Sequence, residues 1–388
     1  MGRLVSGKIC WIVSSPFTVR AFLMNHLAAL TRYYDITLMS NAGDFGFLVP
    51  LGFGVRGIPL GIERKISPFR DMACLFRLAR AFQSSGFKAI QSVTPKAGLL
   101  AMTAARFMHV PIRIHWFTGQ VWATRSGAMR ALLKGLDRLT ATLATHLLVD
   151  SPSQLDFLAS EGIAPRDKMH VLAQGSICGV NTVRFRPNGT ARAEVRAELD
   201  LPEEALVFLF LGRCTFDKGL TDLARAFEAL CAEREDTYLV IVGPDEEGVT
   251  PAMLRLCPRA VGRVRRLDYT DAPERVMAAA DVLCLPSYRE GFGSVVIEAA
   301  AAGIPSIGSR VYGVTDAIQD GVTGLLHEPR DAEDLFAKMR LLAQDPGLRS
   351  SMGNRARARA EQNFSQEVVT AALLDYYECV LGPCLGRV

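Results

Sequence analysis

The stretch Pro286–Pro305 reads PSYREGFGSVVIEAAAAGIP, and the rest of the chain is interpreted outward from it. An apolar run, Asp281–Leu285, precedes it. A helical run, Ser294–Ala302, follows, and Gly303 and Pro305 stop it. The pattern is a strand, a tight glycine-bearing loop and a helix start. Backbone N–H groups at such a start carry the positive end of the helix dipole, which suits a phosphate. Two carboxylates bracket the element, Glu290 in the loop and Glu298 in the helix. A carboxylate accepts paired hydrogen bonds from vicinal hydroxyls, as on a sugar or a ribose. Such a loop holds sugar, diphosphate and ribose together. The plainer alternative is a strand-to-helix turn with two solvated glutamates.

Upstream and downstream, short apolar runs alternate with amphipathic helices, the mark of parallel α/β sheets. Expected strands are Ile9–Val13, Asp35–Met39, Ala89–Val93, Ile112–Trp116 and His146–Val149, then Val207–Leu211, Tyr238–Val242, Asp281–Leu285, Ser306–Ser309 and Gly324–Leu326. Expected helices include Ser67–Ser84, Pro95–Phe107, Ala128–Leu143, Leu220–Glu233 and Ala272–Ala280, and the end of the chain reads as helix. The polar stretch from Arg184, with Pro187, Asn188 and Gly189, reads as an inter-domain connection. The expected fold class is therefore α/β: two Rossmann-like parallel-sheet domains facing a central cleft. Their expected bounds are 1–183 and 207–365, joined by a linker at 184–206. A last helix, 366–388, is expected to return to the first domain.

The chain has 388 residues, 49% hydrophobic and 22% charged, enough for two ordinary domains with ample core. No apolar run reaches the roughly 18 residues of a membrane span. The first apolar run, Ile9–Val13, is too short for a signal peptide. The nine cysteines form no Cys-x-x-Cys pair and read as reduced core residues of a cytoplasmic protein. No His-Glu-x-x-His or Asp-x-Asp occurs, so neither a metal nor a cofactor is expected. The net charge of +4 is unevenly spread. Residues 1–183 hold 20 Lys and Arg against 9 Asp and Glu, a net of +11, and the remainder holds 24 against 31, a net of −7. The basic half is expected to meet an anionic membrane surface or a lipid diphosphate. Nucleic acid is disfavoured, since aromatic and basic residues do not interleave as its motifs require.

A second loop, Gly212-Arg213-Cys214-Thr215-Phe216-Asp217-Lys218-Gly219, follows the first strand of the second domain. Open α/β sheets bind ligands at the C-terminal ends of their strands. Arg213 as a fork and Lys218 as a point charge both suit one diphosphate, and the alternative is a pair of solvated cations. Neither a Walker loop nor Gly-x-Gly-x-x-Gly is present.

Arg213 and Lys218, with Glu290-Gly-Phe-Gly-Ser and Glu298, resemble the retaining glycosyltransferases of family 4, which have the two-domain GT-B fold. The resemblance covers nearly the whole chain. It implies that Arg213 and Lys218 neutralise a donor diphosphate and that Gly293, Ser294 and Val295 offer it their N–H groups. It further implies that Glu298 binds the ribose hydroxyls and Glu290 the transferred sugar. Gly243-Pro244 and Arg266–Tyr269 match positions that line the base in that family.

The run QSVTPKAGLLAMTAARFMHVPIRIHWFTGQVW, with the later DSPSQLDFL, is similar to bacterial capsule and O-antigen transferases. Those enzymes add an N-acetylated hexose or deoxyhexose, such as N-acetylfucosamine or N-acetylgalactosamine, to a lipid diphosphate-linked sugar. The resemblance sets His115 at a strand end, facing the donor sugar. Its alternative is a histidine packed under a loop. Lys96, Thr118 and Gln120 are expected as acceptor or donor contacts. Ser14-Ser15-Pro16 departs from the glycine-rich turn of many relatives, and Ser15 is placed with the same contacts. The segment Glu63–Phe82 interleaves Leu75, Phe76, Leu78, Ala79 and Phe82 with Arg64, Lys65, Arg70, Arg77 and Arg80. It reads as a basic amphipathic helix suited to anionic lipid, or as a core helix with a solvated basic face.

The expected activity is retaining, metal-independent transfer of a sugar from a UDP-sugar to a polyprenyl-diphosphate-linked acceptor. The expected place is the inner face of a bacterial plasma membrane. Two alternatives stand beside it: a nucleotide-sugar epimerase or hydrolase on the same fold, and a non-catalytic nucleotide-sugar-binding partner of a membrane assembly.

Overall fold

The apolar runs read as strands all enter parallel sheets in the computed structural model, which describes residues 7–63 and 67–382. One unit comprises the chain up to Cys178 together with the chain from Gln366 onward. Its strands are β1 (Lys8–Val13), β2 (Asp35–Ser40), β3 (Val55–Pro59), β4 (Ala89–Val93), β5 (Ile112–Phe117), β6 (His146–Val149) and β7 (Met169–Val171). They lie in the order β3-β2-β1-β4-β5-β6-β7. Side chains alternate across the pleat, so β1 sends Ile9, Trp11 and Val13 to one face and Cys10 and Ile12 to the other. Helices Pro68–Ser85, Pro95–Phe107 and Gly127–Leu143 cover the second face. Helices Met24–Leu30 and Gln366–Leu381 cover the first, where the Tyr377 hydroxyl donates to Gln91 Oε1.

The other unit is Gly179–Ser365. Its strands are β8 (Leu206–Leu211), β9 (Thr237–Val242), β10 (Val264–Leu267), β11 (Val282–Leu285), β12 (Ser306–Ser309) and β13 (Gly324–His327), in the order β10-β9-β8-β11-β12-β13. Helices Leu220–Glu233 and Ala332–Gln344 cover one face, and Pro273–Ala279, Ser294–Ala301 and Pro346–Asn363 the other. Each sheet reverses its strand order once, between β1 and β4 in the first unit and between β8 and β11 in the second. In open α/β sheets, that reversal opens a crevice beyond the strand ends.

The sequence reading differs from the structure in the edge strands and in the domain bounds. Strands β3, β7 and β10 were not expected. Each is an outermost strand: β3 reads VRGIP, β7 has only three residues and β10 reads VRRL. Edge strands are short and charged because one side has no partner, so they lack the apolar signature of the interior. The stretch 184–206, expected as a linker, contains the helix Gly189–Glu198, whose Asn188 cap accepts from the Ala191 N–H at 3.1 Å. That helix belongs to the second unit, which begins at Gly179 rather than at residue 207, and the first unit's opening stretch ends at Cys178 rather than at 183. Its polarity is that of an outward face, while Ala191, Val195 and Arg196 are buried. Arg192 and Arg196 both pair with Asp281, at 2.7 and 3.0 Å, just before β11.

Candidate functional site

In the second unit, the two loops singled out from sequence leave the sheet on either side of its reversal point. Gly212–Gly219 follows β8 and Pro286–Gly293 follows β11. They are pressed together. Gly219 has φ 70°, and a Cβ there would run into the Pro286 carbonyl oxygen, so glycine is required on both counts. The Tyr288 N–H donates to the Asp217 carbonyl at 2.8 Å. Arg289 pairs with Asp217 at 2.6 Å, and Lys218 forms an ion pair with Glu290. Ser287 Oγ and Arg289 Nε are buried without a hydrogen-bond partner, a rare condition in folded chains.

Lys218 and Glu290 are thus brought into direct contact, whereas Arg213, more exposed on the same loop, pairs with Glu246 at 2.7 Å. Gly243 ends β9. Its N–H donates to the Leu267 carbonyl at 2.9 Å, and a Cβ would meet the Gly212 carbonyl oxygen. Its place is explained by this close approach of backbones. Gly293 has φ 82° and opens the helix Ser294–Ala301, with Ser294 and Val295 in its half-buried first turn. Glu298 stands in the second turn, half-buried. Burial pushes its carboxyl up to about 7; the Arg184 guanidinium pulls it down and Glu274 pushes it up. Arg184 itself pairs with Glu274 at 2.8 Å. Asp217, Arg289 and Arg184 were missed in the sequence. The first two have a signal there: each adjoins a selected residue and carries the opposite charge.

The first unit holds the remaining residues. Ser15 caps the short helix Pro16–Thr18 by accepting from the Phe17 N–H at 3.3 Å. Its neighbour Ser14 bonds Thr94 at 2.9 Å, joining the loops after β1 and β4 across that sheet's reversal point. Lys96 follows β4 and pairs with Asp71 at 2.6 Å. Thr118 follows β5; its carbonyl accepts from the side-chain amides of Gln120 at 2.5 Å and Gln154 at 2.7 Å. Asp150, which follows β6, accepts from Trp116 Nε1 at 2.9 Å, and burial pushes its carboxyl up to about 7 despite that bond.

His115 needs correction. It is the fourth residue of β5, not its end, and is only 1% exposed. Its ring lies edge-on to Phe117 and directly over Gly98, and its Nδ1 bonds Ser92 Oγ at 2.8 Å. Burial lowers its pKa to about 3, so it stays neutral and enclosed. The sheet's alternation turns this side chain toward the helix Pro95–Phe107 rather than toward the strand ends. It faces no ligand.

The helix Pro68–Ser85 buries Cys74, Leu78 and Phe82. Its opposite side exposes Phe69 (92%), Met72 (54%) and Phe76 (69%), with Arg70, Arg77 and Arg80 also exposed. Arg64 and Lys65 lie outside the described residues. Among the described residues, no helix is long and apolar enough to cross a membrane.

Residues 191–359 match the family Glycosyl transferases group 1, and residues 19–175 match a Glycosyl transferase 4-like domain. The capsular polysaccharide biosynthesis glycosyltransferase CapM of Staphylococcus aureus is 27% identical over 327 residues, 84% of this chain and 86% of that one. The D-inositol 3-phosphate glycosyltransferase of Streptomyces avermitilis is 34% identical over 249 residues, which span 61% of this chain but only 52% of that relative. Among solved structures, Anabaena HepE in complex with UDP and glucose is similar with a TM-score of 0.79 at 16% identity, covering 96% of this chain and 100% of that one. Sucrose-phosphate synthase from Thermosynechococcus elongatus has a TM-score of 0.80 at 21% identity, covering 96% and 98%. Two parallel-sheet units, each matched by its own glycosyltransferase family, place this chain in the group 1 glycosyltransferases, with the GT-B fold.

Proposed function

We propose that the chain transfers a sugar, an N-acetylated hexose or deoxyhexose, from a UDP-sugar to a hydroxyl of a polyprenyl-diphosphate-linked acceptor, with retention. The observation that carries this reading is the gathering of Arg213, Lys218, Glu290 and the start of the Ser294–Ala301 helix at the reversal point of one sheet. The likeness to CapM supports capsule assembly as the setting, and HepE is a structure of this fold that holds UDP and glucose.

In this reading the donor diphosphate draws Lys218 away from Glu290 and Arg213 away from Glu246. The two cations and the N–H groups of Gly293, Ser294 and Val295 stabilise the negative charge that grows as the anomeric bond breaks. Stabilisation by fixed positive groups lets the leaving group depart without a metal. Glu298 accepts from the ribose hydroxyls and Glu290 from the sugar hydroxyls. The acceptor oxygen bonds the anomeric carbon on the face the diphosphate leaves, and its proton passes to the departing phosphate oxygen. Ser15, Lys96, Thr118 and Gln120, near the strand ends of the first unit, are assigned to contacts with the acceptor or the donor. His115 has no part.

A lipid-linked acceptor requires the enzyme at a membrane. The exposed Phe69, Met72 and Phe76, flanked by Arg70, Arg77 and Arg80, suit an anionic bilayer surface, apolar groups entering and guanidinium groups meeting headgroups. On this reading the protein works at the inner face of the bacterial plasma membrane.

A thermal-shift screen against nucleotides and nucleotide sugars tests the donor assignment, since a ligand that binds only the folded state raises the melting temperature. UDP and one UDP-linked N-acetylated sugar are expected to stabilise the protein. A larger shift with guanosine diphosphate would replace the donor, and no shift with any nucleotide would remove the donor site.

A further inference from the structure

The loops after β8 and β11 meet through two ion pairs of opposite sense. Asp217 and Lys218 face Arg289 and Glu290, so that an acid followed by a base opposes a base followed by an acid. One pair, Lys218 with Glu290, joins two groups assigned to the ligand. Asp217 and Arg289 have no such assignment, yet their side chains are only 24% and 18% exposed.

Asp217 is held firmly. Its Oδ1 accepts from Thr215 Oγ1 at 2.5 Å, its Oδ2 meets Arg289 Nη2 at 2.6 Å, and its carbonyl accepts the Tyr288 N–H at 2.8 Å. Burial pushes its carboxyl up, but the Thr215 hydroxyl and the Arg289, Lys218 and Arg213 cations outweigh that and hold it below the usual carboxylate range. A permanent negative charge therefore stands one residue from Lys218. Left bare, it would bind Lys218 itself and repel a diphosphate, because charges in partly buried surroundings are weakly screened. Arg289 meets this charge and, through the same bond, ties the two loops in register.

We propose that Asp217 and Arg289 are a positioning pair for the donor diphosphate. Arg289 cancels the acid beside Lys218, so that Lys218 is left to the phosphate rather than held by Asp217. The proposal rests on the donor-site reading given above. It predicts an asymmetry that simple stabilisation does not. Losing Arg289 uncovers the acid, whereas losing the Asp217 charge leaves a further cation near the phosphate.

The test is a double-mutant cycle on the full chain. UDP affinity is measured by calorimetry and folding by thermal melts, for the wild type, Arg289→Gln, Asp217→Asn and the double variant. Arg289→Gln is expected to weaken UDP binding by about tenfold, and the double variant to recover most of that loss. Asp217→Asn should bind UDP at least as well as the wild type. Arg289→Lys keeps the charge without the fork and should lose less than Arg289→Gln. A double variant as weak as Arg289→Gln, or an Arg289→Gln affinity equal to the wild type, overturns the proposal. Losses in affinity that simply follow the melting temperature across the cycle overturn it too. Lys218→Ala separates the two levels of the argument. If UDP affinity ignores that change, the donor site itself is misplaced; if it falls with Lys218→Ala but ignores Arg289→Gln, only the positioning pair is lost.

Discussion

Lys218 and Glu290 hold each other, and a donor must separate them. Each has a second partner waiting in the proposed complex, so the pair couples phosphate recognition to sugar recognition. UDP without a sugar frees Lys218 but leaves Glu290 with no partner, and a buried charge without a partner is costly. Glu290→Gln should therefore tighten binding of bare UDP by several-fold while lowering turnover with the full donor, since charged hydrogen bonds contribute about 1.5–3 kcal/mol. Calorimetry with UDP and a steady-state assay read the two effects, and unchanged UDP affinity would show the pair is not in the way. Glu298 gives a pH dependence of opposite signs. Its carboxyl titrates near 7 in the folded chain against an ordinary 4.5. Between those values the folded state keeps a proton that the unfolded state has lost, so Glu298 makes stability fall as pH rises from 4.5 to 7, and level off above. Ionised Glu298 is the stronger acceptor for ribose hydroxyls, so UDP affinity should rise between pH 6 and 8. Glu298→Gln should flatten both trends; a UDP profile that keeps its slope in this variant would remove the ribose role. The sequence displayed both glutamates clearly. It did not display the fate of His115, which is decided by Gly98 leaving room for the ring beneath it.

At the scale of elements, the helix Gly189–Glu198 is the instructive case. It is anchored by Arg192 and Arg196 on the single carboxylate of Asp281, whose Oδ2 also accepts the Val207 N–H at 2.7 Å. Arg196 is 4% exposed and bonds the carbonyls of Ala279, Glu203 and Ala205 as well. Asp281→Ala would strand that guanidinium in the interior and is expected to destabilise the second unit by about 3–5 kcal/mol, the usual cost of removing one partner from a buried pair. Urea unfolding followed by tryptophan-independent circular dichroism reads this, and a loss below about 1 kcal/mol would place the anchor elsewhere. The sequence concealed the helix because its arginines look solvated until Asp281 is folded against them. The edge strands β3, β7 and β10 were concealed for the complementary reason, having little apolar surface to bury. Interior strands, apolar on both faces, could be read directly.

For the whole molecule, the uneven charge is the dominant sequence feature, with +11 over residues 1–183 against −7 over the rest. If the helix Pro68–Ser85 brings that basic half to a bilayer, the protein should float with vesicles containing anionic lipid and not with neutral ones. Binding should weaken as salt shortens the Debye length from about 10 Å at 0.1 M. Replacing Phe69 and Phe76 together by Ser should abolish flotation at moderate salt while leaving UDP affinity intact. Flotation unaffected by that change, or absent on anionic vesicles, would assign the face to another role. The sequence by itself determined the alternation of strands and helices, the two-sheet α/β class and the loop from Pro286 that names the family, because these depend on periodicity and on glycines required locally by the chain. Only the tertiary structure decided that His115 is enclosed, that residues 189–198 form an anchored helix, and that Asp217 meets Arg289 beside Lys218 and Glu290. Those outcomes depend on which distant side chains burial and charge bring within a few ångströms, and such pairings leave no period in the sequence.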